Sequence, residues 1–183
     1  MKPPVFFVAI VIEAEAGAAI TQFKTFAAQH FQTSRALNAP PHLTLVPPFL
    51  WPDAQVGALL DCLADAVKSM PPFILQLKNF NCFAPRVIYV DVLPNAALSH
   101  LQQALEAQLR EQLQLQSDRQ YSFHPHVTVA FKDLSAAAFP AAWAHFSGLE
   151  FEQKVEVNHV ALLRFEEHRW QLVSKIDLTT QTH

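Results

Sequence analysis

Two short stretches, 84 positions apart, repeat one pattern: Pro41-His42-Leu43-Thr44-Leu45 and Pro125-His126-Val127-Thr128-Val129. Each alternates a polar residue with an apolar one. In a β-strand successive side chains point to opposite faces, so His42 and Thr44 share one face while Leu43 and Leu45 share the other. The same holds for His126 and Thr128 against Val127 and Val129. Any fold of this chain must bury both apolar backs. It then presents two imidazoles and two hydroxyls on the opposite side. A single His-x-Thr says little, because Thr is simply a good strand former. Two copies in matching surroundings constrain the chain strongly.

The elements around the motifs also repeat. Residues 5–12 are β-branched or aromatic on both faces and read as a central strand. A helix is predicted over 18–31, with Ile20, Phe23, Ala27 and Phe31 on one stripe. The first motif strand, 42–49, is stopped by Pro47-Pro48. Asp53 is then a candidate N-cap for a helix carrying Val56, Leu59, Leu60, Leu63 and Val67 inward. A half-exposed strand over 73–83 closes this round. A second round follows: strand 86–92, a Pro94-Asn95 turn and cap, a helix with Leu98, Leu101, Leu105, Leu109 and Leu113 inward, motif strand 126–131, a short Ala-rich helix around 136–146, and a strand over 151–157. Strands over 159–165 and 170–178 end the chain. Val5 to His42 spans 37 positions and Arg86 to His126 spans 40, so the two rounds keep step and indicate an internal duplication. No Ser/Gly-rich linker separates them. The expected fold is α+β and bilobal: one domain over 1–183, with interleaved lobes related by a pseudo-twofold. The repeat halves are approximately 5–83 and 86–157, with closing strands over 159–178. Mainly antiparallel sheets should line a central cleft, with helices outside.

Hydrophobic residues make up 51% and charged residues 16% of the 183, a balance that folds rather than one that stays disordered. The net charge is −3 and no block of Lys or Arg occurs. An extended nucleic-acid track, which needs many phosphate contacts, is therefore not expected, whereas a nucleotide or a strand terminus is. The two cysteines, Cys62 and Cys82, read as free thiols in a reducing compartment. The apolar run after Lys2 is opened by Pro3-Pro4 and closed by Glu13, too short for an export signal. No stretch approaches the ~20 apolar residues of a membrane span. The expectation is a cytoplasmic monomer.

Imidazole is the side chain whose ordinary pKa lies near neutrality, so one His can take a proton while another gives one. Two of them on opposite sides of a phosphate suit in-line displacement. A Thr hydroxyl two residues on reaches the same side and can donate to a non-bridging oxygen, stabilising the charge of the transition state. Nothing in this design requires a metal or other cofactor. A rival reading uses His124-x-His126 as two zinc ligands, with His42, His159 or His168 as a third. Against it, no Asp, Glu or Cys stands at an obvious ligand spacing nearby. His30, His100 and His145 fall in helical stretches and read as packing or surface residues.

At the two motifs the chain resembles the 2H phosphoesterase superfamily, which includes 2′-5′ RNA ligase-like proteins and RNA 2′,3′-cyclic phosphodiesterases. The family is named for two His-x-Thr motifs, and the resemblance runs over nearly the whole chain. The strand Arg86-Val87-Ile88-Tyr89-Val90 and the closing Trp170-Gln171-Leu172-Val173 are also similar to the family's. The resemblance implies a metal-independent phosphodiesterase that opens 2′,3′-cyclic phosphates of nucleotides or RNA ends, giving 2′-phosphate products. It implies His42 and His126 as the acid/base pair, with Thr44 and Thr128 on the phosphate. The alternatives are a nucleotide-binding module without turnover and a 2′-5′ RNA end ligase using the same site. Many members place an Arg shortly after the second motif, where this chain reads Ala130-Phe131-Lys132. Lys132 and Arg86, which opens the strand matching the first, are the candidate substrate contacts.

Overall fold

Residues 5–11 are apolar at every position, and such a segment is stable where both of its faces are covered. In the computed structural model, which describes residues 3–116 and 122–179, strand β1 (Val5–Val11) meets that condition. Phe6, Val8 and Ile10 enter the main core. Phe7 and Ala9 enter a second, smaller cluster on the other face, with Ala161 and Leu163.

The remaining strands are β2 (His42–Leu50), β3 (Phe73–Phe83), β4 (Val87–Val92), β5 (His126–Ala130), β6 (Glu152–Val157), β7 (His159–Glu166) and β8 (Arg169–Asp177). All eight join in one curled antiparallel sheet in the order β6-β3-β4-β5-β2-β1-β7-β8. The two motif strands, β2 and β5, are neighbours at its middle. Strand β3 follows β2 in sequence yet pairs with β4 and β6, and β7 returns to lie beside β1. Four helices accompany the sheet: α1 (Ala14–Phe31), α2 (Val56–Val67), α3 (Ala96–Leu113) and α4 (Phe139–Ser147). Ile20 and Ala27 of α1, Leu59 and Leu63 of α2, Leu101 and Leu105 of α3, and Phe146 of α4 share one core cluster with Leu43, Leu45, Val127 and Val129. Burying each such side chain contributes roughly 1.5–3 kcal/mol. The helices thus cover one face of the sheet, and the His-x-Thr face is left for the groove.

Four local outcomes differ from the sequence expectation. Pro47-Pro48 does not stop the first motif strand: β2 runs on to Leu50, still paired with β1, because a register shift between Phe6 and Val8 accommodates the prolines. Helix α1 begins at Ala14, before residue 18. Its turn is compact because Gly17 donates its N–H to the Glu13 carbonyl at 3.0 Å, and a Cβ at Gly17 would collide with the Ile12 carbonyl. Asp53 does not cap α2. It sits in a 3₁₀ turn over Asp53–Gln55 without a side-chain cap, and its carboxylate instead accepts from Arg164 at 2.7 Å. Helix α4 starts at Phe139 instead of near 136, with Pro in its first turn, where a missing N–H costs nothing. Asn95 caps α3 as expected, accepting from the Leu98 N–H at 3.0 Å. Cys62 is buried, Cys82 is half-buried, and both are free thiols.

Candidate active site

The apolar backs of the motifs fix the site. Leu43 pairs with Val127 across the junction of β2 and β5, and both are fully buried. With Leu43 and Val127 turned into the core, the alternation of each strand sets His42 and Thr44, and His126 and Thr128, on the opposite face. All four polar side chains are half-buried and share the face away from the helices.

Each imidazole is oriented in the same way. His42 Nδ1 donates to the Pro40 carbonyl at 2.7 Å, and His126 Nδ1 donates to the His124 carbonyl at 2.7 Å. A carbonyl can only accept, so Nδ1 carries the proton in both rings. In the neutral tautomer the lone pair is on Nε2. The residue two positions before each His therefore sets its ring. Proline at 41 and at 125 stiffens that reach-back by fixing φ.

The surroundings of the two rings differ. Across from His42 in the β1–β2 register is Val11; across from His126 in the β4–β5 register is Asp91. Phe7 packs on His42 with ring centroids 4.9 Å apart. Burial pushes the His42 pKa from 6.5 down to about 4; its bond to Pro40 opposes this, while the charges of Lys24 and His126 add to it. Around His126 stand Tyr89 at 5.1 Å and the exposed ring of Phe83 at 5.3 Å. Tyr89, 1% exposed, has its phenol oxygen 3.1 Å from His124 Nε2 in a hydrogen bond. Burial raises the Tyr89 pKa, helped by Asp91 and Cys82. His124 thus serves His126 through its carbonyl and Tyr89 through its ring. Among the described residues no three His, Cys, Asp or Glu side chains gather as a metal-binding group would.

The segment leading into the first motif is clasped from both ends. Lys24, 2% exposed on α1, donates to the carbonyls of Ala36 and Ala39 at 3.0 and 3.2 Å. Asp133, three residues beyond β5, accepts from the Thr33 hydroxyl at 2.8 Å and from the backbone N–H groups of Ser34 and Arg35 at 2.9 and 3.0 Å. These donors hold its carboxyl below the usual range although burial opposes them. Asp133, from the loop after the second motif, therefore secures the approach to the first.

Residues 12–169 match the family described as the 2′-5′ RNA ligase superfamily. The chain belongs to this family. A provisionally named phosphoesterase of Bacillus pumilus is 39% identical over 95 residues, 51% of this chain and 53% of that protein. The match thus spans about half of that relative's length. A provisionally named phosphoesterase of Bacillus cytotoxicus is 30% identical over 137 residues, 73% of this chain and 76% of that protein. Among solved structures, E. coli LigT complexed with 3′-AMP superimposes with a TM-score of 0.65 at 23% identity, covering 98% of this chain and all of that one. TT0787 of Thermus thermophilus gives 0.67 at 17% identity, covering 97% and 100%. These two structures share the fold of this chain.

Of the sequence candidates, the sheet brings together His42, Thr44, His126 and Thr128. Arg86 is exposed in the turn between β3 and β4, where its N–H donates to the Phe83 carbonyl at 3.1 Å. Lys132 is exposed and folds its ammonium over the Phe131 ring, 5.2 Å from its centroid. Phe83, Tyr89, Asp91 and Phe7 escaped the sequence reading. Phe7, Tyr89 and Asp91 lie on the strands flanking the motifs, where period-2 alternation on β1 and β4 was the signal that could have placed them on the site's face, whereas Phe83 ends β3, one strand further out. No helix of the described residues is long and apolar enough to cross a membrane.

Proposed function

We propose that the chain is a metal-independent phosphodiesterase that opens 2′,3′-cyclic phosphates of nucleotides or RNA ends to 2′-phosphates. The observation that carries this reading is the adjacency of two His-x-Thr strands with both imidazoles held by Nδ1–H bonds to backbone carbonyls. Both Nε2 atoms are thereby committed to proton transfer, and no Lewis acid is required of the site.

The different surroundings assign the roles. His42, kept neutral with its lone pair on Nε2, is the general base that takes a proton from the attacking water. His126, whose register partner on β4 is Asp91, is the general acid that gives its Nε2 proton to the departing 3′-oxygen. The new bond joins the water oxygen to phosphorus as the P–O3′ bond breaks, and the 2′-phosphate remains. Thr44 and Thr128 donate to the non-bridging oxygens. Phe83 and Arg86 at the rim would take the base and sugar, since stacking on an aromatic ring tolerates any base. The nucleotide complex of LigT is consistent with a nucleotide in this groove.

The test is ³¹P NMR of 2′,3′-cyclic AMP incubated with the protein. The expected product is 2′-AMP. Exclusive 3′-AMP would place the general acid at the other ring oxygen, and no product would remove the reaction.

A further inference from the structure

The two reach-back carbonyls that orient the imidazoles are held in different ways. Each belongs to a residue followed by proline, a neighbour that restricts the residue before it to extended backbone. In the first motif that residue is Pro40, whose own ring also fixes its φ. In the second it is His124, an exposed residue with no ring closure on its backbone. A tether stands there instead. The His124 imidazole is hydrogen-bonded through Nε2 to the Tyr89 phenol at 3.1 Å and packs edge-on against Phe83 at 5.3 Å. Tyr89 lies on β4 across from Thr128, so it faces the groove, yet it is 1% exposed, with the Phe83 ring 4.6 Å away. A phenol so enclosed does not reach substrate. Its hydrogen bond ends on His124.

We propose that Tyr89 is a positioning residue for His126: through the His124 ring it holds the carbonyl that orients the general acid, a constraint that Pro40 supplies to His42 by its covalent ring. The inference rests on reading the paired His residues as a phosphodiesterase site. The path runs from the phenol to His124 Nε2, through the His124 ring to its own backbone, and from the His124 carbonyl to the His126 Nδ1–H at 2.7 Å. It ends at His126 Nε2, where the proton leaves. Without the phenol hydroxyl, the exposed imidazole regains rotamers and residue 124 regains backbone freedom that Pro125 alone does not remove. The loosened carbonyl then accepts less well. An imidazolium is a stronger donor than a neutral ring, so the bond to that carbonyl favours the charged form of His126, and weakening it moves protonation to lower pH. Asp91, the register partner of His126, and His42, whose charge is coupled to it, keep their places when only the hydroxyl is lost.

The experiment is NMR titration of ring-labelled histidines in the full chain, with turnover of 2′,3′-cyclic AMP in the same preparations, for wild type, Tyr89→Phe, His124→Pro and the double variant. Tyr89→Phe should move the His126 titration to lower pH and leave that of His42 in place. It should lower kcat on the order of 10-fold while KM changes less than about 2-fold, as a misaligned proton donor would. His124→Pro gives the second motif the Pro-Pro-His of the first, and in that background Tyr89→Phe should change nothing further. A His126 titration that Tyr89→Phe leaves unmoved, a shift of His42 as large as that of His126, or an undiminished effect in the His124→Pro background would overturn the positioning role. A shifted titration without wild-type turnover supports the role and refutes the reaction, whereas turnover with an unmoved titration does the reverse.

Discussion

Leu43 and Val127 pair at the centre of the eight-stranded sheet, both fully buried, and their placement in the core turns the imidazole and hydroxyl of each motif to the opposite face. The core pairing and the site geometry are therefore one feature. Leu43→Ala should lower stability by about 2–5 kcal/mol, the usual cost of such a cavity. It should also lower turnover at temperatures where the variant is still folded. Denaturant melts with parallel assays check this, and full activity in a destabilised variant would uncouple the two.

Removing either imidazole should slow turnover by about 10²–10⁴-fold, the range of general acid/base groups. His42→Ala and His126→Ala should both retain the wild-type circular dichroism spectrum. Thr44→Ala and Thr128→Ala should cost less, about 10-fold to 10³-fold, because a hydrogen bond to the phosphate is lost while proton transfer persists. A Thr variant slower than both His variants would contradict this division of roles.

The lowered pKa of His42 sets the acid side of the pH profile. A base must be neutral, so kcat/KM should fall as pH drops through about 4, not through the 6.5 of an ordinary imidazole. Stability follows the same sign. The unfolded chain protonates His42 first, so the stabilisation it contributes is complete above 6.5 and is lost as pH falls towards 4, by about 3 kcal/mol. The lowered carboxyl of Asp133 acts in the same direction at lower pH. Denaturant midpoints across this window should fall less in His42→Asn, and an acid limb near 6.5 in the rate profile would show that His42 is not the base.

The clasp on segment 33–39 should be felt at His42 although neither clasp residue touches it. Asp133→Ala should lower kcat by about 10-fold or more with a smaller change in KM, because the approach to Pro40 loosens. Lys24→Met removes a cationic neighbour, so NMR titration should find the His42 pKa raised above about 4. An unmoved titration would leave Lys24 a purely structural residue.

The repeated motif and the alternation around it made the α+β fold and the shared face of the four candidate residues legible, because period-2 patterning states which side chains share a face. The inward stripes of α2 and α3 were legible for the same reason, through the 3.6 period. What could not be read was partnership. Nothing in the sequence of β3 says that it leaves β2 to pair with β4 and β6, since strand pairing is decided by long-range packing. Asp53 carries the chemistry of a cap but was drawn to Arg164, a residue 111 positions away. Asp133 and Lys24 carry no sequence signal of their clasp, because their partners are mostly backbone groups in a turn whose course no local pattern records.

The most direct test of the account is the turnover of the four 2′,3′-cyclic mononucleotides in the presence of EDTA, followed by chromatography for wild type, His42→Ala and His126→Ala. The paired-imidazole reading predicts ring opening by the wild type undiminished by EDTA, and its loss in both variants. Wild-type turnover abolished by EDTA, or surviving in either variant, would contradict it.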